Sequence, residues 1–253
     1  MSYQTKWIDD EVQYVNQIEF GDHGKQVKRV QEWLGYHGFG VLIDADYGPA
    51  TQAAVSDFQT KNGLASTGTV DQATWGSLVA PMCAVLNFST MASLPFADLV
   101  LTLAKAHLAL HPREFGGDNC GPWVRMYMNG IDGKQQKWCA GFVSFILHQA
   151  AYVSSQAMPI KGSVSCDELA HQARQTHRFI SGNTHQGNLG DTFIFLVKSP
   201  TSTDDWIHTG IGFGLQGEVF TTIEGNTNDE GSANGYEVCS RKRRTKSVDF
   251  IRL

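Results

Sequence analysis

The chain has 253 residues, 42% of them hydrophobic and 18% charged, enough apolar material for one large core or two modest ones, and this excludes a largely disordered polymer. Twenty Lys and Arg against 25 Asp and Glu leave a formal net charge of −5, the wrong sign for gripping nucleic-acid phosphates. The most apolar stretch, residues 96–110, is broken by Asp98, Lys105 and His107, and the opening MSYQTKWIDDEVQYV lacks the basic-then-apolar order of a secretory signal, so neither a membrane span nor a leader is expected.

In chain order, Val27, Val30 and Leu34 recur at helical spacing after His23, and Gly35 and Gly38 offer stops. Gly48-Pro49 turns the chain into a second helix with Ala54, Val55 and Phe58 on one stripe, closed by Asn62-Gly63. Asp71 is placed to cap a third, short helix with Trp75, Leu78 and Val79 on its apolar face. Residues 81–95 show no period and read as a linker. Helices are then expected over 96–111, 138–151 and 167–178, and strands over 191–198, 208–215, 218–224 and 247–253. Helices first and an antiparallel sheet second is an α+β pattern. The run RKRR at 241–244 reads as outward charges on a strand edge, which discourage edge-to-edge pairing.

Five cysteines (Cys83, Cys120, Cys139, Cys166 and Cys239) form no CxxC pair, which argues against a disulfide framework or structural zinc and directs attention to a single reactive thiol. Cys139 opens the helical run CAGFVSFILHQA, where unpaired N–H groups and the helix dipole favour a thiolate. Ala140 and Gly141 are small enough for a carbonyl to approach, and backbone N–H groups there can hold an oxyanion. Cys166 also precedes a helix, but Asp167 and Glu168 oppose a thiolate; Cys120, in a Gly-rich loop before Pro122, is the nearest competitor.

Among nine histidines, His208 starts a strand whose own face carries Gly210, Gly212 and Gly214. That bare face leaves room for an extended peptide beside the imidazole, or relieves crowding against a neighbouring element. Glu224 and Asn226 stand two apart at a strand end, and either can hold an imidazole tautomer from behind, or serve the turn around Gly225. His185 falls in a polar loop, and no HExxH-type spacing supports a metal.

The elements GDHGKQVKRVQEWL (21–34), DYGPATQAAVSDFQ (46–59) and NGLASTGTVDQATW (62–75) together resemble the three-helix peptidoglycan-binding domain that accompanies many cell-wall hydrolases. The likeness covers residues 20–80 within an expected domain 1–80, with Tyr47 where the pattern usually has Phe. Tyr36, Asp46 and Tyr47 are expected as an exposed surface for sugar or stem peptide. The order WCAGFVS (138–144), GD (190–191), HTGIGF (208–213) and IEGN (223–226) resembles the CHAP amidase/peptidase family within the papain-like NlpC/P60 hydrolases. NCGPWVRMY (119–127) resembles that family's lead-in, and the resemblance spans 96–253.

What this second resemblance implies is a papain-like α+β domain in which Cys139 is the nucleophile, His208 the base then acid, Glu224 its orienting carboxylate and Asn226 an accessory polar group. Trp138, Ala140 and Gly210 would line the substrate site. The implied reaction is hydrolysis of a peptidoglycan amide bond without cofactor or metal. Cys120 is not required by the pattern; it is incidental or forms a disulfide. Peptidoglycan is the expected partner. The setting stays open between a phage-type endolysin, which implies a holin, and an injected antibacterial effector, which implies an immunity protein; both act on the wall after leaving the cytoplasm without a signal peptide. A non-catalytic wall-binding adaptor is the alternative.

Overall fold

The element order is α1 (Lys6–Val12), α2 (Lys25–Tyr36), α3 (Pro49–Lys61), α4 (Gln72–Leu86), α5 (Phe96–Ala109), α6 (Pro122–Tyr127), α7 (Cys139–Ser154) and α8 (Cys166–Gln175), then β1 (Phe179–Ile180), β2 (Thr192–Lys198), β3 (Trp206–Gln216), β4 (Val219–Thr227), β5 (Glu237–Arg244) and β6 (Val248–Arg252). This computed structural model describes residues 5–87, 93–182, 188–202, 204–228 and 234–253; His185 and part of the expected linker lie outside them. The architecture is α+β, and the chain divides into two compact units.

One unit comprises Gln4–Asn87 and Arg113–Lys134. Its α2, α3 and α4 form where the apolar spacing predicts, around a core of Val27, Val30, Leu34, Val55, Phe58, Trp75 and Leu78, all nearly inaccessible, while α1 and α6 are not among the expected helices. Asp71 caps α4 by accepting the Thr74 N–H at 2.8 Å. Two buried amides fasten the loops: Gln31 donates to Asp44 and to the Asp46 carbonyl, and Gln59 donates to the Thr69 carbonyl. Two boundaries differ from expectation. The third helix is long, because Met82, Val85 and Leu86 extend its buried stripe through the expected start of the linker. The segment 113–134, expected at the head of the second domain, belongs here instead. Its α6 packs Trp123 edge-on to Trp33, with ring centroids 6.1 Å apart, and inserts the Arg125 guanidinium between Glu11 and Glu32.

The other unit contains Phe88–Pro112 and Gln135–Leu253. Its sheet is antiparallel throughout, in the order β1-β6-β2-β3-β4-β5. Period-two alternation places Phe193 and Phe195 of β2, Phe220 of β4 and Phe250 of β6 in one buried aromatic cluster. The apolar helices α5 and α7 pack on each other and on the strands. Among the described residues, no helix is long and apolar enough to cross a membrane.

Candidate active site

The second unit gathers Cys139, Cys166, His208, Glu224 and Arg243. Cys139 is the first residue of α7, where the leading N–H groups have no partner within the helix. Close contact with β4 fixes that helix end. A Cβ on Gly225 would lie 2.7 Å from Phe142 and 2.8 Å from the Trp138 ring, so only glycine lets strand and helix approach this far.

His208 is fully buried near the start of β3, and its Nε2 lies 2.8 Å from Glu224 Oε2. Glu224, also fully buried, is held from behind. Arg243 on β5 donates from Nε to Oε1 and from Nη2 to Oε2, both at 2.6 Å, and the Thr222 hydroxyl donates to Oε1 at 2.5 Å. This fork is bidentate, which gives both charge and direction. The guanidinium also stands over the Phe195 ring, 5.3 Å from its centroid.

These neighbours set the protonation states. Burial works to raise the Glu224 pKa, but the hydrogen bonds from Arg243 and His208 overcome it and bring it down to about 2. Burial likewise disfavours a charged imidazole, yet the Cys139 sulfur and the Glu224 carboxylate together raise His208 to about 9. The Cys139 thiol is held well below its ordinary range, chiefly by a hydrogen bond from Cys166, then by His208 and the Thr209 backbone N–H, against the cost of burial. His208 Nδ1 makes no well-formed hydrogen bond. These shifts favour a thiolate beside an imidazolium, with an ionised carboxylate behind.

The site residues expected from sequence divide into groups. Cys139, His208 and Glu224 come together. Asn226 does not join them. The register shifts between Glu224 and Thr227, Asn226 takes φ 55°, and strand alternation breaks. Asn226 Oδ1 therefore accepts the Trp138 N–H at 3.2 Å while Nδ2 donates to the Gly235 carbonyl at 2.7 Å, so the residue anchors the start of α7. The glycine face of β3 is not open along its length: Gly214 has open space beside it, but Gly210 and Gly212 do not. A Cβ at Gly210 would lie 2.8 Å from the Phe195 ring and 2.9 Å from Glu224, and one at Gly212 would strike Phe193. Crowding by neighbouring side chains, rather than room for a peptide, explains these two glycines.

Trp138 and Ala140 are buried, so their side chains offer no groove wall. Tyr47 is fully buried with its hydroxyl donated to the Gly68 carbonyl at 2.9 Å, which removes it from the expected exposed surface. Tyr36 is partly buried among Trp33, Phe115 and Trp123. Cys120 is a thiol, and none of the five cysteines is in a disulfide.

Three contributors escape the sequence reading. Arg243 was expected to face outward with the rest of RKRR; Lys242 and Arg244 do, but Arg243 turns onto Glu224. Thr222 carries the signal of sharing Glu224's strand face, two residues before it. Cys166 lies with its sulfur 3.9 Å from that of Cys139, each opening a helix. Its pKa is raised well above the ordinary value, first by the Cys139 sulfur, then by burial, with Asp167 adding to both.

Residues 23–78 match the family model described as a putative peptidoglycan binding domain. The zinc D-Ala-D-Ala carboxypeptidase of Streptomyces albus G is 37% identical over 75 residues, 27% of this chain and 29% of that protein, so the chain spans less than a third of that relative's length. Among solved structures, a Burkholderia AP3 phage endolysin is 33% identical and aligns over 36% of each chain with a TM-score of 0.26. A fused Zn-dependent amidase/peptidase/peptidoglycan-binding domain-containing protein from Clostridium acetobutylicum ATCC 824 is 16% identical, over 91% of this chain and 62% of that one, also with a TM-score of 0.26. Among the described residues no group of three or more His, Cys, Asp or Glu side chains is disposed to hold a metal ion. The family match supports an N-terminal peptidoglycan-binding domain in this chain.

Proposed function

We propose that the chain is a peptidoglycan hydrolase that cleaves an amide bond of the wall stem peptide or crosslink, with Cys139 as nucleophile, His208 as general acid and base, and Glu224 orienting the imidazole. The observation that carries this reading is the buried Arg243–Glu224–His208 chain ending beside a cysteine at a helix start. The Cys139 thiolate attacks the amide carbonyl carbon, and unused N–H groups of the first turn of α7 receive the oxyanion. His208, protonated, gives its proton to the departing amine as the C–N bond breaks. The neutral imidazole then deprotonates a water that attacks the thioester, and the acid product leaves with the thiolate restored. The peptidoglycan-binding domain raises the local concentration of wall polymer around this site, which places the action at the cell wall.

The test is digestion of purified sacculi by the full chain, with mass spectrometry of the soluble fragments. Fragments with new amino and carboxyl ends at one amide bond are expected, and Cys139→Ala should lose about a thousandfold or more of the rate while still pelleting with sacculi. Undiminished cleavage by Cys139→Ala would overturn the assignment, and binding without cleavage by the native chain would leave the adaptor reading.

A further inference from the structure

Cys166 forms no bond and moves no proton in the proposed amide hydrolysis, yet its sulfur stands 3.9 Å from Cys139 in a buried setting. The two residues are 27 apart in sequence and reach each other because α7 and α8 both begin at this point. Ser165 caps α8, its hydroxyl accepting the Glu168 N–H at 3.3 Å, which fixes the turn carrying Cys166. A disulfide requires sulfurs about 2.0 Å apart, so closure asks for an approach of roughly 2 Å, within the range of side-chain rotation at two helix ends. Cys139 keeps 4% and Cys166 9% of their surface accessible.

We propose that Cys139 and Cys166 form a reversible disulfide under peroxide, switching off the hydrolase by capping its nucleophile; the regulatory half of this inference rests on the hydrolase reading above. In the first step the Cys139 thiolate attacks one oxygen of the peroxide. The O–O bond breaks, the sulfur becomes a sulfenic acid, and the leaving hydroxide takes a proton from His208 to become water. In the second, the Cys166 sulfur attacks the sulfenic sulfur; the S–O bond breaks, and the hydroxyl leaves as water with the Cys166 proton. Two thiols and one peroxide thus give one disulfide and two waters. A dithiol reductant reverses the change by exchange, returning both hydrogens. The adjacent resolving thiol also protects Cys139 from further oxidation to the sulfinic acid, which would be irreversible.

The experiment treats the full chain with a small molar excess of hydrogen peroxide, blocks remaining thiols, and maps non-reduced peptides by mass spectrometry alongside sacculus digestion. A cross-linked pair carrying Cys139 and Cys166, two hydrogens lighter than the separate peptides, is expected together with loss of about nine-tenths of the activity and its recovery with dithiothreitol. Cys166→Ser, compared with its own untreated rate, should lose activity irreversibly and accumulate sulfinic acid at Cys139. An active enzyme that yields no such cross-link, or whose Cys166→Ser variant recovers fully, overturns this inference alone. A reduced native chain without cleavage overturns the hydrolase reading, and the switch with it.

Discussion

Each unit buries an arginine fork against a glutamate, and the two clusters do different things with it. In the first unit Arg125 donates to Glu11 at 2.8 and 2.9 Å, to Glu32 at 2.6 and 3.2 Å and to Asp132 at 2.7 Å, while Arg29 also reaches Glu11 at 2.8 Å. Against the cost of burial, the hydrogen bonds to Glu11 and Glu32 raise the Arg125 pKa above its ordinary value. Carboxylates, the two guanidinium groups and the Lys28 ammonium, 3.5 Å from Glu32, make this cluster, and its ion pairs run only among them. In the second unit Arg243 holds Glu224 in the same way, but Glu224 turns its other side to His208, and His208 to a thiol. Buried charge by itself therefore marks architecture. A site is marked where the chain of charges ends in groups that exchange a proton within the physiological range.

The largest expected effect breaks the first cluster. Arg125→Met leaves Glu11 with Arg29 and Glu32 with Lys28 as their remaining cations, and should cost about 3–5 kcal/mol of stability, read as a lowered midpoint in denaturant unfolding. If the change proves neutral, the cluster contributes nothing beyond what an apolar side chain would supply.

A smaller effect, on rate, sharpens the contrast. Arg243→Met keeps the contact with Phe195 but removes a charged hydrogen-bond pair, a loss of about 1.5–3 kcal/mol, or roughly ten- to a hundredfold in cleavage rate. Its signature is in the pH profile. His208 is raised from 6.5 to about 9, so its stabilising charge is complete below 6.5 and lost as pH rises through about 9. Glu224 is lowered from 4.5 to about 2, so its contribution is present above 4.5 and lost as pH falls through about 2. Cleavage by the native chain should accordingly decline through about pH 9 on the alkaline side. Without Arg243 the Glu224 carboxylate, still ionised at that pH, loses its competing cation and acts on His208 alone, so that limb moves to higher pH. Arg243→Lys, which keeps the charge but not the fork, should fall between the two. An unmoved limb would mean that Arg243 acts on folding alone.

Much of the fold could be read directly from periodicity. Val27, Val30 and Leu34 announce α2, and the apolar run from 193 to 197 announces β2, whose residues are buried on both faces from 192 to 196. Cys139 at a helix start and His208 on a strand were legible in the same way. What stayed hidden depends on partners far along the chain. Arg125 meets Glu11 across 114 residues, and no local pattern in 113–134 reports that. The alternation in RKRR identifies two faces without saying that Glu224 waits on one of them. A single bulge redirects Asn226 from the imidazole to the Trp138 N–H, and a bulge has no strong sequence signature where Asn rather than Gly supplies the positive φ. Tyr47 reads as a loop aromatic open to solvent until its hydroxyl finds the Gly68 carbonyl.

The central claim is that Cys139 stands ionised beside a protonated His208. The difference in ultraviolet thiolate absorbance between the native chain and Cys139→Ala, followed as pH is lowered from 9, measures this directly. A full thiolate signal at neutral pH, reduced there in His208→Ala, is the predicted result. A signal that disappears just below pH 9, as for an ordinary thiol, would contradict the account.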